Sequence, residues 1–334
     1  MTTTELERNV AAGTAPLLEV RDLHTYFYTR RGVVKAVNGV SFSVGRGRTL
    51  GLVGESGSGK SATSMSLIRL VPDPPGRIVA GKILLEGEDL LTLSDDEMRR
   101  VRGGRISMML QDPMSSLNPV FTIGDQIMEA IRIHQGGSRE SLWDRAVAAL
   151  KAVRISEPEL RMASWPHQLS GGMRQRVVAA IAISCQPSLL IADEPTTALD
   201  VTIQAQLLNL LRDIQAERGM SIIFVTHDFG VVADMCDEVA VMYAGQIVET
   251  ASTLEIFDNP QHPYTQALLA SLPDLDDVPE RLPAIPGQPP ALHDLPVGCA
   301  FAERCSKCMA QCRIEAPPAV EVSKGHMARC WRAG

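Results

Sequence analysis

The segment Gly54-Glu55-Ser56-Gly57-Ser58-Gly59-Lys60-Ser61 constrains this chain more than any other stretch of it. It fits the pattern G-x-x-x-x-G-K-[ST], follows an apolar run (Leu50, Leu52, Val53) and precedes an apolar helical pattern (Met65, Leu67, Ile68). A buried strand, a glycine turn and a helix start are therefore expected in succession, an order native to α/β folds. The glycines allow several backbone N–H groups to converge on phosphate oxygens, and the helix N-terminus adds positive potential. In such a loop Lys60 is expected to reach the β- and γ-phosphates and the Ser61 hydroxyl to ligate Mg²⁺, with Ala62 next in the first turn.

From Leu17 to about Thr250, short apolar runs such as Thr49 to Val53, Leu189 to Ala192 and Ser221 to Thr226 alternate with longer helical patterns. The fold class expected is therefore α/β, a P-loop nucleotide-binding domain on a mixed or largely parallel sheet. Between Gly124 and Arg161 strand signals vanish, and Leu142, Ala146, Leu150 and Val153 recur at helical spacing. That predicts a helical subdomain over about residues 112–175. Seven prolines between Pro273 and Pro296 forbid continuous helix or central strand there. The expected division is a loose tail over 1–16, a nucleotide-binding domain over 17–260 and a Pro- and Cys-rich extension over 261–334. With 334 residues, such a division is reasonable.

Other residues add to the phosphate loop. Leu189-Leu190-Ile191-Ala192 ends in Asp193 and Glu194. A second strand so finished delivers acid to a Mg²⁺ site, Asp193 toward the metal and Glu194 toward the attacking water. His227 ends the apolar run Ile222 to Thr226 and can project from the same strand edge, and Gln111 follows Ser107-Met108-Met109-Leu110. Ser170-Gly171-Gly172 precedes a long helical pattern and creates a second anion-binding helix N-terminus.

Charge and hydropathy narrow the setting. The formal charge of −7 disfavours a protein that coats nucleic acid through bulk positive charge. No window approaches the ~20 apolar residues of a membrane span, so membrane association is expected through a partner. Five of the seven cysteines (Cys299, Cys305, Cys308, Cys312, Cys330) crowd near the C-terminus, in a chain with no export signal, which reads as metal chemistry before disulfides. By spacing alone, zinc and an iron–sulfur cubane are both open, and His326 is an outside candidate ligand.

The run Leu169-Ser170-Gly171-Gly172-Met173 resembles the LSGGQ signature of the ATP-binding cassette (ABC) family, with Met in the final position, which chiefly starts the helix. That resemblance implies an ATPase in which the signature of one subunit completes the ATP site of the opposite one. It makes Gln111 the residue coupling to membrane subunits and a Mg²⁺ ligand beside Ser61 and Asp193. Thr197-Ala198-Leu199-Asp200 becomes the D-loop, His227 the switch histidine, and Phe27 the aromatic stacked on adenine, favoured over Tyr26 and Tyr28. The segments Gln111 to Pro119 and His262-Pro263-Tyr264-Thr265-Gln266-Ala267-Leu268-Leu269 are similar to the oligopeptide and dipeptide importer ATPases, relatives of which carry nickel and other solutes.

From this resemblance follow the remaining expectations. Cys299, Cys305, Cys312 and Cys330 are expected to hold a [4Fe-4S] cluster, zinc being the alternative, with Cys308 the extra thiol. The expected partners are a second cassette ATPase in a heterodimer, two membrane permeases and, indirectly, an extracytoplasmic solute-binding protein, at the cytoplasmic face of the membrane. A nucleic-acid maintenance ATPase is the rival class, disfavoured by the negative charge and the absence of sustained heptads.

Overall fold

The computed structural model describes residues 15–110, 112, 116–197, 200–272 and 284–333. Its strands are β1 (Leu18–Thr29), β2 (Gly32–Val44), β3 (Thr49–Val53), β4 (Gly76–Leu85), β5 (Glu88–Asp89) and β6 (Ile106–Met109), then β7 (Leu189–Asp193), β8 (Ser221–Thr226), β9 (Glu238–Tyr243), β10 (Gln246–Ser252), β11 (Val320–Ser323) and β12 (His326–Ala328). The helices are α1 (Lys60–Leu67), α2 (Asp95–Val101), α3 (Ile123–Gln135), α4 (Arg139–Ala152), α5 (Pro158–Arg161) and α6 (Gly171–Ile183). They continue as α7 (Val201–Arg218), α8 (Phe229–Met235), α9 (Thr253–Asp258), α10 (Pro263–Ala270) and α11 (Ala310–Ile314). The chain divides into two compact units, one of Met1–Gly45, Thr49–Leu91 and Val225–Gly334, the other of Arg46–Arg48 and Thr92–Phe224.

The first unit carries an antiparallel four-stranded sheet in the order β2-β1-β4-β5. Val40, Phe42 and Val44 of β2 turn inward, as the two-residue repeat of a half-covered strand requires. In the same unit β3 pairs in parallel with β9, which continues antiparallel through β10 and β12 to β11. The sheet system is thus mixed, with more antiparallel pairing than the sequence pattern conveys. β3 is buried along its whole length, which is why its residues read as an unbroken apolar run. The segment after 260 belongs to this unit, and β12 joins it to β10 through Ala328 opposite Glu249.

The second unit contains the parallel pair β6–β7 and the expected helices. α3, α4 and α6 pack on one another through Ile127 and Ile131, Leu142, Ala146 and Leu150, and Val177 and Ile183, all buried. Their starts are written in the sequence: Thr122, Ser138 and Ser170 each cap a helix by accepting a backbone N–H from three residues on. α2 has a full capping box between Ser94 and Glu97, with Asp95 and Asp96 in its first turn. β8 straddles the division between the units.

Candidate nucleotide site

In the first unit the octet forms the predicted strand–turn–helix, running from buried β3 into α1, which begins at Lys60. Gly59 caps that helix at φ 110°, and a side chain there would strike the Ala36 carbonyl; Gly54, at φ 151°, faces the Met242 carbonyl in the same way. No other residue type fits either place, because both the conformation and the space are denied to a Cβ. Lys60 is buried and its Nζ donates to the carbonyls of Gly54 (2.7 Å) and Glu55 (3.1 Å). Ser56, Gly57 and Ser61 are exposed, and the Ser58 N–H donates to the Glu55 carbonyl at 3.2 Å. The loop is thus a ring of backbone closed on its own lysine, and an arriving phosphate must take over that cation.

Two residues from beyond position 260 grip the same loop, and the sequence pattern did not reveal them. The Glu55 N–H donates to the Tyr264 hydroxyl at 2.9 Å, and the Glu55 carboxylate accepts a forked pair from Arg304. Tyr264 and Tyr243 lie with ring centroids 4.5 Å apart, and Phe301 packs edge-on against both. The signal that could have found them is the interleaving of Phe301 and Arg304 between Cys299 and Cys305 in one short segment.

The remaining predicted residues of this unit are His227 and Phe27. His227 is exposed just after β8, followed by Asp228, which caps α8 by accepting from the Gly230 and Val231 N–H groups. Phe27 is half-buried on β1 opposite Val34 and Gly76, while Tyr28 is exposed and Tyr26 donates to Asn38 Oδ1 at 3.1 Å.

The second unit holds the acidic strand end. β7 is buried throughout and finishes at Asp193, itself 5% exposed. Glu194 follows at φ 47°, a left-handed backbone that costs a side-chain-bearing residue about 1–3 kcal/mol. Its Oε2 accepts from the Thr197 hydroxyl at 3.0 Å. Gln175, buried on α6, donates through Nε2 to the Pro195 carbonyl at 2.6 Å and so ties the signature helix to the turn after Glu194. Ser170 caps α6, its hydroxyl accepting from the Met173 N–H at 3.3 Å, while Gly171 stands in open space and Gly172 lies against Ile203. Asp200 caps α7 by accepting from the Ile203 N–H at 2.9 Å. Gln111, Ala198 and Leu199 lie outside the described residues. Within the first unit the exposed Ser61 hydroxyl, and within the second the Asp193 carboxylate, are each hard oxygen donors of the kind Mg²⁺ takes.

Against known proteins, the profile described as "ABC transporter" matches residues 37–197, and that described as "Oligopeptide/dipeptide transporter, C-terminal region" matches 248–312. A "Probable peptide ABC transporter ATP-binding protein" of Sinorhizobium fredii is 52% identical over 318 residues, covering 95% of either chain. The chain belongs to the ABC transporter ATP-binding proteins. It is an ABC-type ATPase by membership of that family. The oligopeptide transport ATP-binding protein OppD of Bacillus subtilis is 54% identical over 94% of this chain and 88% of its own. Among solved structures, the cassette MJ0796 in a dimer bound to ADP and Pi has a TM-score of 0.63 at 25% identity, over 71% of this chain and 98% of that one. Cassette cbiO1 of Clostridium perfringens gives 0.62 at 25% identity, over 74% and 92%.

The cysteine tail departs from expectation. Among the described residues no group of three or more His, Cys, Asp or Glu side chains comes together so as to hold a metal ion. His326 is not turned toward the thiols but bonds the buried Glu249 carboxylate at 2.8 Å. Cys299, Cys305, Cys312 and Cys330 nevertheless line one pocket with Phe301 and Trp331. Burial pushes the Cys299 thiol up to about 11, and the neighbouring Cys312, Cys330 and Cys305 push the same way. Burial likewise raises Cys305 and Cys330. The Met309 and Arg332 N–H groups point at the sulfurs of Cys312 and Cys330, at 3.5 and 3.4 Å.

Proposed function

We propose that this ATPase energises import of oligopeptides or dipeptides. The observation that carries this reading is likeness to peptide-import ATP-binding proteins over nearly the whole chain, the C-terminal region included. Two such subunits sandwich ATP head to tail, the Ser170-Gly171-Gly172 turn of one facing the triphosphate on the other's Gly54–Ser61 loop. Lys60 moves from the Gly54 and Glu55 carbonyls to the phosphates, and Ser61, Asp193 and Gln111 would hold Mg²⁺, which would supply positive charge to the triphosphate. Glu194 polarises the attacking water, His227 orients toward the γ-phosphate, and Phe27 stacks on adenine. The second subunit is a related cassette, the pair docks on two permeases at the cytoplasmic membrane face, and a solute-binding protein delivers the peptide.

Glu194→Gln is expected to keep ATP affinity while slowing hydrolysis by roughly 10²-fold or more, as loss of a general base does. Lys60→Ala weakens binding itself. Steady-state turnover of Glu194→Gln equal to that of the parent removes the assigned base. Uptake of a labelled tripeptide in cells with and without the gene tests the cargo, and unchanged uptake rejects it.

The four thiols around one pocket serve as ligands to a [4Fe-4S] cluster. They fail the geometry of a single ion, but a cubane is several atoms across and spaces its sulfurs more widely; backbone N–H groups aimed at two sulfurs suit that use. Protein purified without oxygen should carry about four iron atoms per chain. Iron-free protein overturns this part alone.

A further inference from the structure

Glu55 stands second in the phosphate loop, where a carboxylate beside an incoming triphosphate is electrostatically adverse. Both of its oxygens are occupied by Arg304, Nη1 reaching Oε2 at 2.7 Å and Nη2 reaching Oε1 at 3.0 Å. A two-point fork of this kind fixes direction as well as charge. Arg304 is itself immobilised: its side chain is 5% exposed, Nε donates to the Pro286 carbonyl at 3.0 Å, and Nη1 also reaches the Tyr243 hydroxyl at 3.3 Å. Its guanidinium lies 5.8 Å from the Tyr243 ring and 5.9 Å from that of Phe301. Tyr264 meanwhile takes the Glu55 N–H. One loop residue is thus held at its backbone and at its side chain by two residues of the C-terminal region.

The consequence lies in what happens to Lys60. Its two bonds to the Gly54 and Glu55 carbonyls close the loop from within, and both must break when the ammonium turns to phosphate. At that moment the grip on Glu55 from outside, beside the backbone bonds of Ser58, helps keep the loop in shape. We infer that Arg304 is a positioning residue for ATP: through Glu55 it braces the phosphate loop and cancels an adverse charge, so that the C-terminal region sets nucleotide affinity. The inference rests on reading Gly54–Ser61 as the phosphate loop.

The test uses the full chain, with ATP hydrolysis against ATP concentration and direct binding of a fluorescent ATP analogue. Arg304→Gln should raise KM and Kd about tenfold, within the ~5–150-fold usual for coupling between sites, and Glu55→Gln should raise them less, because it loses the fork together with the adverse charge. For Arg304→Gln, kcat should change less than about twofold, since bracing acts on binding. The double variant should be no worse than either single one, because both remove the same contact. Arg304→Lys, which keeps charge but loses the fork, should fall between. Additive losses in the double variant, or unaltered affinity in both singles, overturn the inference. Should Arg304→Gln not fold, Arg304→Lys and Glu55→Gln carry the same comparison. Normal ATP binding by Lys60→Ala would instead sink the phosphate-loop reading, and this inference with it.

Discussion

Gln175 donates to the Pro195 carbonyl at 2.6 Å from a fully packed position on α6, next to the turn that presents Glu194. Replacing it by Leu keeps the volume and removes the buried, unpartnered Oε1 but takes the donor from that carbonyl, a loss of about 1–3 kcal/mol that the first change offsets only in part. Gln175→Leu should therefore lower the urea midpoint and, by loosening the turn, slow hydrolysis more than it weakens ATP binding. Equal hydrolysis in parent and variant would show that the tie does not orient Glu194. The loop glycines and Lys60 were legible in the sequence because they work on neighbours within a turn and their spacing is their geometry, whereas Ser170 and Asp200 stood out for other reasons and their caps appear only in the structure. Arg304 was not, because its partner Glu55 lies 249 residues away and nothing in either segment names the other.

At the scale of elements, α10 opens on a buried cap. His262 caps it, Nδ1 accepting the Tyr264 N–H at 3.0 Å, while the His262 N–H donates to the buried Glu249 at 2.9 Å. Burial pushes the His262 imidazole down to about 3. The folded state keeps it neutral, whereas the unfolded chain takes up a proton below about pH 6.5. Stability is then lost progressively as pH falls from about 6.5 toward 3, by up to ~1.4 kcal/mol per unit. His262→Asn retains an acceptor for the cap but does not titrate, so its urea midpoint should fall less between pH 6.5 and 5 than the parent's; parallel curves would exclude the imidazole as the source. The buried β3, β7 and β8 announced themselves as apolar runs. The β1–β2–β4 sheet did not, since its half-exposed strands mix polar and apolar residues and their pairing is set by tertiary contact.

Across the molecule, the residues proposed to bind and hydrolyse ATP divide between the units: the loop, Phe27 and His227 lie in one, Asp193, Glu194, Ser170 and Asp200 in the other. The fold class was legible because alternation of strand and helix survives in single-sequence pattern. What was hidden is that residues after 260 join the same unit as the phosphate loop instead of standing apart, since aromatic and guanidinium contacts leave no periodic trace. The fork from Arg304 to Glu55 also orders events during synthesis. A ribosome that has released Gly54–Ser61 must add more than two hundred further residues before the guanidinium emerges, so a nascent or truncated chain holds a loop without its brace. Competence to bind nucleotide tightly is then among the last properties the growing polypeptide acquires, and an abortive fragment would compete poorly for ATP.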